Sequence, residues 1–419
     1  MEFALGVIVA AIATVVVLNL ASRHRTVERR IQHHHPATSA DYIRELELLV
    51  GPAFVPGNAV ENLENGDQIF PAMLEAIRGA SQTINFETFI YWSGRIGREF
   101  AEALAERARA GVKVHVILDW LGSQKMDEEL IDLMDRSGIR VVRYHRPHWY
   151  TLARMNNRTH RKLLIVDGTV GFTGGVGIAD EWLGHAQDPE HWRDSHFRIE
   201  GPVVAQIQAA FLENWLEATG DLLTGEDYFP HLQPAGDMRM QFFTSSPNGG
   251  ADSMELMYLL SIAAAERSID ITAAYFLPDD LLCRVLIDAR RRGVRVRVLA
   301  PGEHIDRWIA RYASRDDWGP LLEAGIEIHE FEPTMLHVKL LVVDRHLVSV
   351  GSTNFDPRSL YLNAEANLNV VDDAFAQRIT HVFEQDLSRS RRILLDDWKH
   401  RPLKARVIER MSSLVQPQL

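Results

Sequence analysis

The chain has 419 residues, 46% hydrophobic and 24% charged, a globular balance that excludes a disordered, collagen-like or polytopic membrane protein. Its 45 basic against 57 acidic side chains leave a net charge of −12, which argues against a protein that coats nucleic acid with its whole surface yet permits a local basic patch. A single cysteine, Cys283, excludes an internal disulfide framework and a cysteine-rich zinc site.

Residues Phe3 to Ala21 form an uncharged, largely apolar run close to the roughly 20 residues that span a bilayer. The start Met1-Glu2-Phe3 is not basic and no small-x-small cleavage site follows, so the pattern predicts a retained membrane anchor over residues 1–21 rather than a secretory signal. A basic linker, 22–57, carries Arg23, Arg25, Arg29 and Arg30, and the positive-inside rule then predicts a cell-membrane protein whose remaining chain faces the cytoplasm. His33 to His35, directly before Pro36, read as a solvated tract rather than a metal site.

From about residue 58 the order strand, helix, strand, helix, strand occurs twice, which predicts a duplicated α/β unit with domains at 58–230 and 231–419. In the first copy Ile84 to Trp92 reads as a strand, Gly97 to Ala110 as a helix and Gly111 to Leu118 as an alternating strand. Ile269 to Leu277, Asp279 to Arg292 and Gly293 to Leu299 repeat that order. Each copy continues with a helix ending at a glycine, Gly138 or Gly325, before another strand. The expected architecture is two β-sheets flanked by helices and packed about a pseudo-twofold axis.

His160-Arg-Lys162 and His337-Val-Lys339 each open a segment that continues through Asp167 or Asp344 to a Gly-Gly or Gly-Ser pair, with the same spacing in both copies. On a strand, residues i and i+2 share a face, so each His–Lys pair faces one way while the Asp has the opposite parity. Asp167 and Asp344 fall where hairpins turn, which suits a carboxylate that braces the turn or a neighbouring base. Two such pairs brought together would surround one pocket with two imidazoles and two ammonium groups. That set suits metal-free phosphoryl transfer, in which one histidine attacks phosphorus, the other protonates the leaving alcohol and the lysines hold the non-bridging oxygens.

On these residues the chain, from about 58 to 419, resembles the phospholipase D superfamily, whose mark is a duplicated H-x-K-x4-D followed by Gly-Gly/Ser-x-Asn, and within it the bacterial cardiolipin synthases. Supporting strings are Asn157-Arg158, Trp192-Arg-Asp194, Arg198-Ile-Glu-Gly-Pro202, Gly351-Ser-Thr-Asn-Phe-Asp-Pro-Arg-Ser359 and Trp398-Lys-His-Arg-Pro402. The resemblance implies a catalytic set of His160, Lys162, Asp167, His337, Lys339 and Asp344, with Asp194 and Glu365 each orienting the histidine of its own copy. It implies a substrate-binding set of Gly174, Gly175, Ser352 and Asn354, a phosphohistidine intermediate with His160 expected as nucleophile and His337 as acid then base, an order the sequence alone leaves open, and no metal or other cofactor. Phospholipids are the implied partners, phosphatidylglycerol first and phosphatidylethanolamine as a second, with no nucleic acid. Phosphatidyl transfer to a second phospholipid is the implied activity; a lipid hydrolase, a superfamily nuclease and a lipid-binding scaffold are the alternatives. Gly177 departs from the pattern, standing where the second copy has Asn354, which implies a less symmetric phosphate cage.

Three further features lie outside the motif. The segment Arg143 to Arg158 mixes basic side chains with Trp149 and Tyr150, and the tail from Arg389 to Arg410 mixes basic with apolar ones; each suits either a lipid surface or ordinary packing. Glu87, on the first strand, is a candidate for the pocket or for a buried pair.

Overall fold

Runs of β-branched residues alternating with amphipathic helices build α/β layers, as the computed structural model shows for residues 31, 35–146, 156–247 and 252–413. The first half contributes β1 (Val55–Glu64), β2 (Thr83–Thr88), β3 (Lys113–Asp119), β4 (Arg140–Tyr144), β5 (Arg158–Thr159), β6 (Leu163–Val166), β7 (Val170–Gly174) and β8 (Ser195–Glu200). The second contributes β9 (Met238–Ser245), β10 (Ser268–Thr272), β11 (Arg295–Pro301), β12 (Glu327–Phe331), β13 (Leu340–Val343), β14 (Leu347–Gly351), β15 (Asn363–Val371) and β16 (Ser390–Ile393).

These strands form one 16-stranded mixed sheet in the order β4-β3-β2-β6-β7-β8-β1-β9-β15-β14-β13-β10-β11-β12-β16, with β5 off the path and paired to β15. The expectation of two separate sheets is therefore corrected. Each half has its own run of strands, but antiparallel pairing of β1 with β9 closes the gap between them, since an unpaired edge at the centre would leave backbone groups unsatisfied. Read outward from that seam, the two halves repeat one strand order, as the duplication predicts.

Helices cover both faces. On the outer side of the first half, Asn65–Gly79 and Arg95–Arg109 bury Ile69, Phe70, Met73, Phe100 and Leu104 against the sheet. Asp252–Ala264 and Asp280–Arg291 do the same in the second half. On the opposite face Val204–Thr219 and Asp373–Ser388 bring Phe211, Trp215, Phe375 and Phe383 into a cluster shared by both halves. A helix at Ala40–Val50, within the stretch read as a linker, packs Tyr42, Ile43 and Leu46 into the second half's core.

The predicted strands over 84–92 and 269–277 stop at Thr88 and Thr272. Their last residues leave the sheet because Phe89, Ile90, Trp92 and Tyr275 line a pocket instead. Gly138 and Gly325 take the left-handed caps expected of them, with φ of 88° and 87°. The apolar run predicted as an anchor lies outside the described residues; among the described residues no helix is long and apolar enough to cross a membrane.

Candidate active site

His160, Lys162 and His337 line one pocket of about 550 Å³ at the seam between the halves. The two H-x-K segments are not within regular strands: each is the extended approach to a buried strand, β6 or β13, and the alternation of an extended chain turns His and Lys to the same side. Arg161, pointing the other way, anchors its segment by donating to Ala210 O at 2.7 Å and Glu213 Oε2 at 2.9 Å.

The carboxylates cross over. His160 Nδ1 lies 3.0 Å from Glu365 of the second half, and His337 Nδ1 lies 2.8 Å from Asp194 Oδ2 of the first. The reading that each acid orients the histidine of its own copy is thus corrected, and the backbone explains why. β5 runs parallel to the start of β15, pairing Thr159 with Ala364, so His160 N donates to Ala364 O at 2.8 Å beside Glu365. An isolated bridge of Arg193 with Leu336 does the same on the other side, and His337 N donates to Arg193 O at 2.8 Å beside Asp194. Arg193, adjacent to Asp194 in sequence, spends its side-chain charge on Asp386 and Glu64, both at 3.0 Å.

A carboxylate accepting from Nδ1–H selects the tautomer whose Nε2 carries the lone pair. Burial, reinforced by the two lysines, pushes His160 well below the ordinary imidazole range; burial and Lys339 push His337 down to about 4. Burial also lowers Lys162 to about 7 and Lys339 to about 8, and an anionic phosphate entering the pocket favours the charged form of both. Lys162 Nζ donates to His160 O at 2.7 Å, and Lys339 Nζ lies 3.1 Å from His337 Nε2.

The acids differ. Burial pushes Glu365 up to about 7. Burial would raise Asp194 too, but its contact with His337, the charge of Lys339 and the indole of Trp182 hold it below the usual carboxylate value. Ser352 Oγ donates to Glu365 Oε2, while Trp182 Nε1 donates to Asp194 Oδ2 at 2.9 Å. Gly175, the counterpart of Ser352, leaves the room Asp194 occupies: a Cβ there would sit 2.2 Å from Asp194 Oδ1.

Several assigned residues stand elsewhere. Asp167 and Asp344 do not line the pocket. Each sits in a hairpin turn at positive φ, 51° and 54°, where Asp is tolerated. Asp167 accepts from Ser81 N, Gln82 N and Thr83 N at 2.7–2.9 Å, and Asp344 accepts from Glu266 N, Arg267 N and Ser268 N over the same range. Their geometry is that of braces. Gly174, Gly175 and Ser352 also lie behind the pocket wall, whereas Asn354 lines it with a buried Oδ1 that has no partner. Gly177 lines it too, and a Cβ there would meet Ile90 Cβ at 2.8 Å and the Trp182 ring at 3.2 Å. Glu87 is buried beneath β5, accepting from Thr159 Oγ1 and from Asn214 Nδ2 at 2.6 Å, and does not line the pocket.

Sequence reasoning missed the aromatic enclosure: Phe89 meets His160 edge-on at 5.3 Å, and Trp182 meets His337 likewise at 5.3 Å. It missed Arg307 and Arg358 on the pocket wall as well. Arg358 stood in a string already singled out; the place of Trp182 is held in the second copy by Ser359, a different residue type that also reaches its half's carboxylate, Glu365, so the repeat offers no signal for an indole there.

Known proteins resemble this chain over most of its length. The family description "Cardiolipin synthase, PLD-like domain" matches residues 73–215 and 258–387. The chain is 33% identical over 360 residues to "Cardiolipin synthase 2" of Bacillus anthracis, covering 85% of this chain and 70% of that protein. It is 32% identical over 396 residues to "Major cardiolipin synthase ClsA" of Bacillus subtilis, covering 93% and 82%. A phosphatidylserine synthase crystal structure from Haemophilus influenzae shares the fold, with a TM-score of 0.66 at 14% identity over 90% of this chain and all of that one. This chain belongs to the cardiolipin synthase family and is a phosphatidyltransferase of the phospholipase D superfamily.

Proposed function

We propose that the enzyme moves a phosphatidyl group from one phosphatidylglycerol to the headgroup hydroxyl of another, giving cardiolipin and glycerol, with His160 as nucleophile and His337 as acid and then base. The observation that carries this reading is the pair of crossed histidine–carboxylate couples beside one pocket. His160 Nε2 attacks phosphorus, the bond from phosphorus to the leaving glycerol oxygen breaks, and His337 gives that oxygen its proton. In the second half-reaction the acceptor hydroxyl attacks the phosphohistidine, its proton passes to His337, and the P–N bond electrons return to His160. Lys162 and Lys339 neutralise the charge that gathers on the non-bridging oxygens.

The unequal acids support this order of roles. Asp194, held below its usual value, stays ionised beside His337. His337, pushed down to about 4 by burial and Lys339, is neutral in the free enzyme and takes up from solvent the proton it later donates as the anionic phosphodiester enters, the Asp194 charge stabilising that imidazolium. His160, pushed well below the imidazole range by burial and the two lysines, is neutral, as a nucleophile requires. Incubating the protein with phosphatidylglycerol in detergent micelles and analysing products by mass spectrometry tests the reading. Cardiolipin with stoichiometric glycerol is expected; phosphatidic acid alone would make the enzyme a hydrolase.

The reading includes membrane attachment through residues 1–21. Support comes from an apolar stripe on the helix Leu403–Ser413, where Leu403, Val407 and Met411 are more than half exposed at i, i+4 and i+8. That helix packs against Trp308–Asp316, whose own Trp308 is 59% exposed and follows the pocket-lining Arg307.

A further inference from the structure

A transfer between two phosphatidylglycerols brings two phosphodiester anions into one site. The histidines and lysines account for the one that reacts. The other must be held a headgroup's length away, and in a pocket of this size two phosphates without separate counter-charges would repel each other.

Arg158, Arg307 and Arg358 line the same pocket. They come from three places in the chain: β5 just before His160, the turn before the helix Trp308–Asp316, and the helix Pro357–Tyr361. Arg358 is set in place by Asn156, donating from Nη1 to Asn156 Oδ1 and from Nη2 to Asn156 O, both at 2.9 Å. Arg158 is buried with its Nη1 4.0 Å from Asp119 Oδ1. Arg307, exposed, stands at the mouth.

The three charges are close enough to feel one another. Burial lowers the Arg358 guanidinium below its ordinary value, and the neighbouring Arg307 and Arg158 lower it further; the Arg358 charge also reaches His160. Asp306 lines the same wall, and Asp119 and Asp356 stand near the arginines without lining the pocket. Asp119 already accepts from the backbone of Leu121, Gly122 and Thr159, Asp306 accepts from Tyr275 Oη at 2.7 Å, and burial pushes Asp356 up to about 7. On the same wall Asn363 Oδ1 is buried without a hydrogen-bond partner, an acceptor suited to a hydroxyl.

We infer that Arg158, Arg307 and Arg358 form an acceptor subsite that grips the phosphodiester of the second phospholipid while its headgroup hydroxyl attacks the phosphohistidine. The inference rests on the transfer reading above. Planar guanidinium forks suit phosphate oxygens, and a wall of them selects an acceptor that carries a phosphate over one that does not. A neutral alcohol or water gains nothing from it.

The test lets one intermediate choose between two acceptors. Phosphatidylglycerol micelles are supplied with radiolabelled glycerol, so that the phosphoenzyme partitions between cardiolipin and labelled phosphatidylglycerol, and the donor step cancels from the ratio. Arg307→Gln is the first variant because its exposure makes misfolding a small risk, and Arg358→Gln is the second. Each is expected to lower the ratio of cardiolipin to labelled phosphatidylglycerol about ten-fold, the scale of a lost hydrogen bond to a charged group, with Arg307→Lys restoring part of it. Parallel loss of both products would place the arginines in donor binding and overturn the inference, as would an unchanged ratio in both glutamine variants. A wild-type protein that yields phosphatidic acid and no cardiolipin would instead sink the transfer reading, and the subsite with it.

Discussion

The two halves carry the same His-x-Lys frame on the same strand order, yet they support their carboxylates differently. In the second half Ser352 donates to Glu365, which burial pushes up to about 7. In the first, Gly175 vacates that position, and Asp194 is held low by its contact with His337 and the charge of Lys339, with the indole of Trp182, from a 3-10 turn at Asp180–Trp182, donating to it as well. Because the carboxylates cross, each half's difference is delivered to the other half's histidine. Duplication supplied two equivalent frames, and unequal braces give their two histidines unlike surroundings, which is what the proposed division of roles requires.

The largest expected effect comes from removing the histidines. His160→Ala and His337→Ala should each cut turnover by roughly 10³-fold or more with the fold intact. A donor with an activated leaving group separates their roles: His337→Ala should then trap an acid-labile phosphoenzyme and His160→Ala should not. The opposite pattern would reverse the assignment of nucleophile and acid.

Next come the braces. Trp182→Phe removes the N–H held by Asp194 and should cost roughly ten-fold in kcat, whereas Ser352→Ala should cost less, because its partner is already near its protonation midpoint at neutral pH. The pH profile distinguishes them. An ionised Glu365 is needed to hold the His160 tautomer, so activity falls as pH drops through about 7. Ser352 lowers that value, so Ser352→Ala should move the acidic limb to higher pH. Trp182→Phe should leave that limb in place, and equal shifts in both variants would erase the distinction between the halves.

Gly177→Asn would copy the second half's Asn354 into the first, but its Cβ meets Ile90 and the Trp182 ring. Overpacking of about 1–3 kcal/mol, read as a lower melting temperature, is the expected outcome, and a stable, faster enzyme would refute the steric account. The smallest effect on activity belongs to Asp344→Asn. It should lower the unfolding temperature through three weakened backbone hydrogen bonds while kcat stays near wild type below the transition. A collapse of kcat in the folded variant would return Asp344 to the catalytic set.

Much of this architecture was legible beforehand because it is local. Strand and helix order follow from hydrophobic periodicity, and His160 with Lys162, like His337 with Lys339, share a side because an extended chain alternates. The glycine caps at Gly138 and Gly325 follow from the steric freedom that a left-handed residue needs. The turn role of Asp167 and Asp344 was legible from parity as well, and the motif's catalytic label ran against it.

Everything that depends on which strand lies beside which was settled by packing in three dimensions. No spacing along the chain says that Thr159 pairs with Ala364 or that Arg193 bridges to Leu336, and those two contacts alone send Glu365 to His160 and Asp194 to His337. The joining of both halves into one sheet, the indole on Asp194 and the meeting of three arginines on one wall have the same origin. Side chains far apart in sequence interact through space, and their proximity is set when two copies of one unit pair edge to edge at β1 and β9.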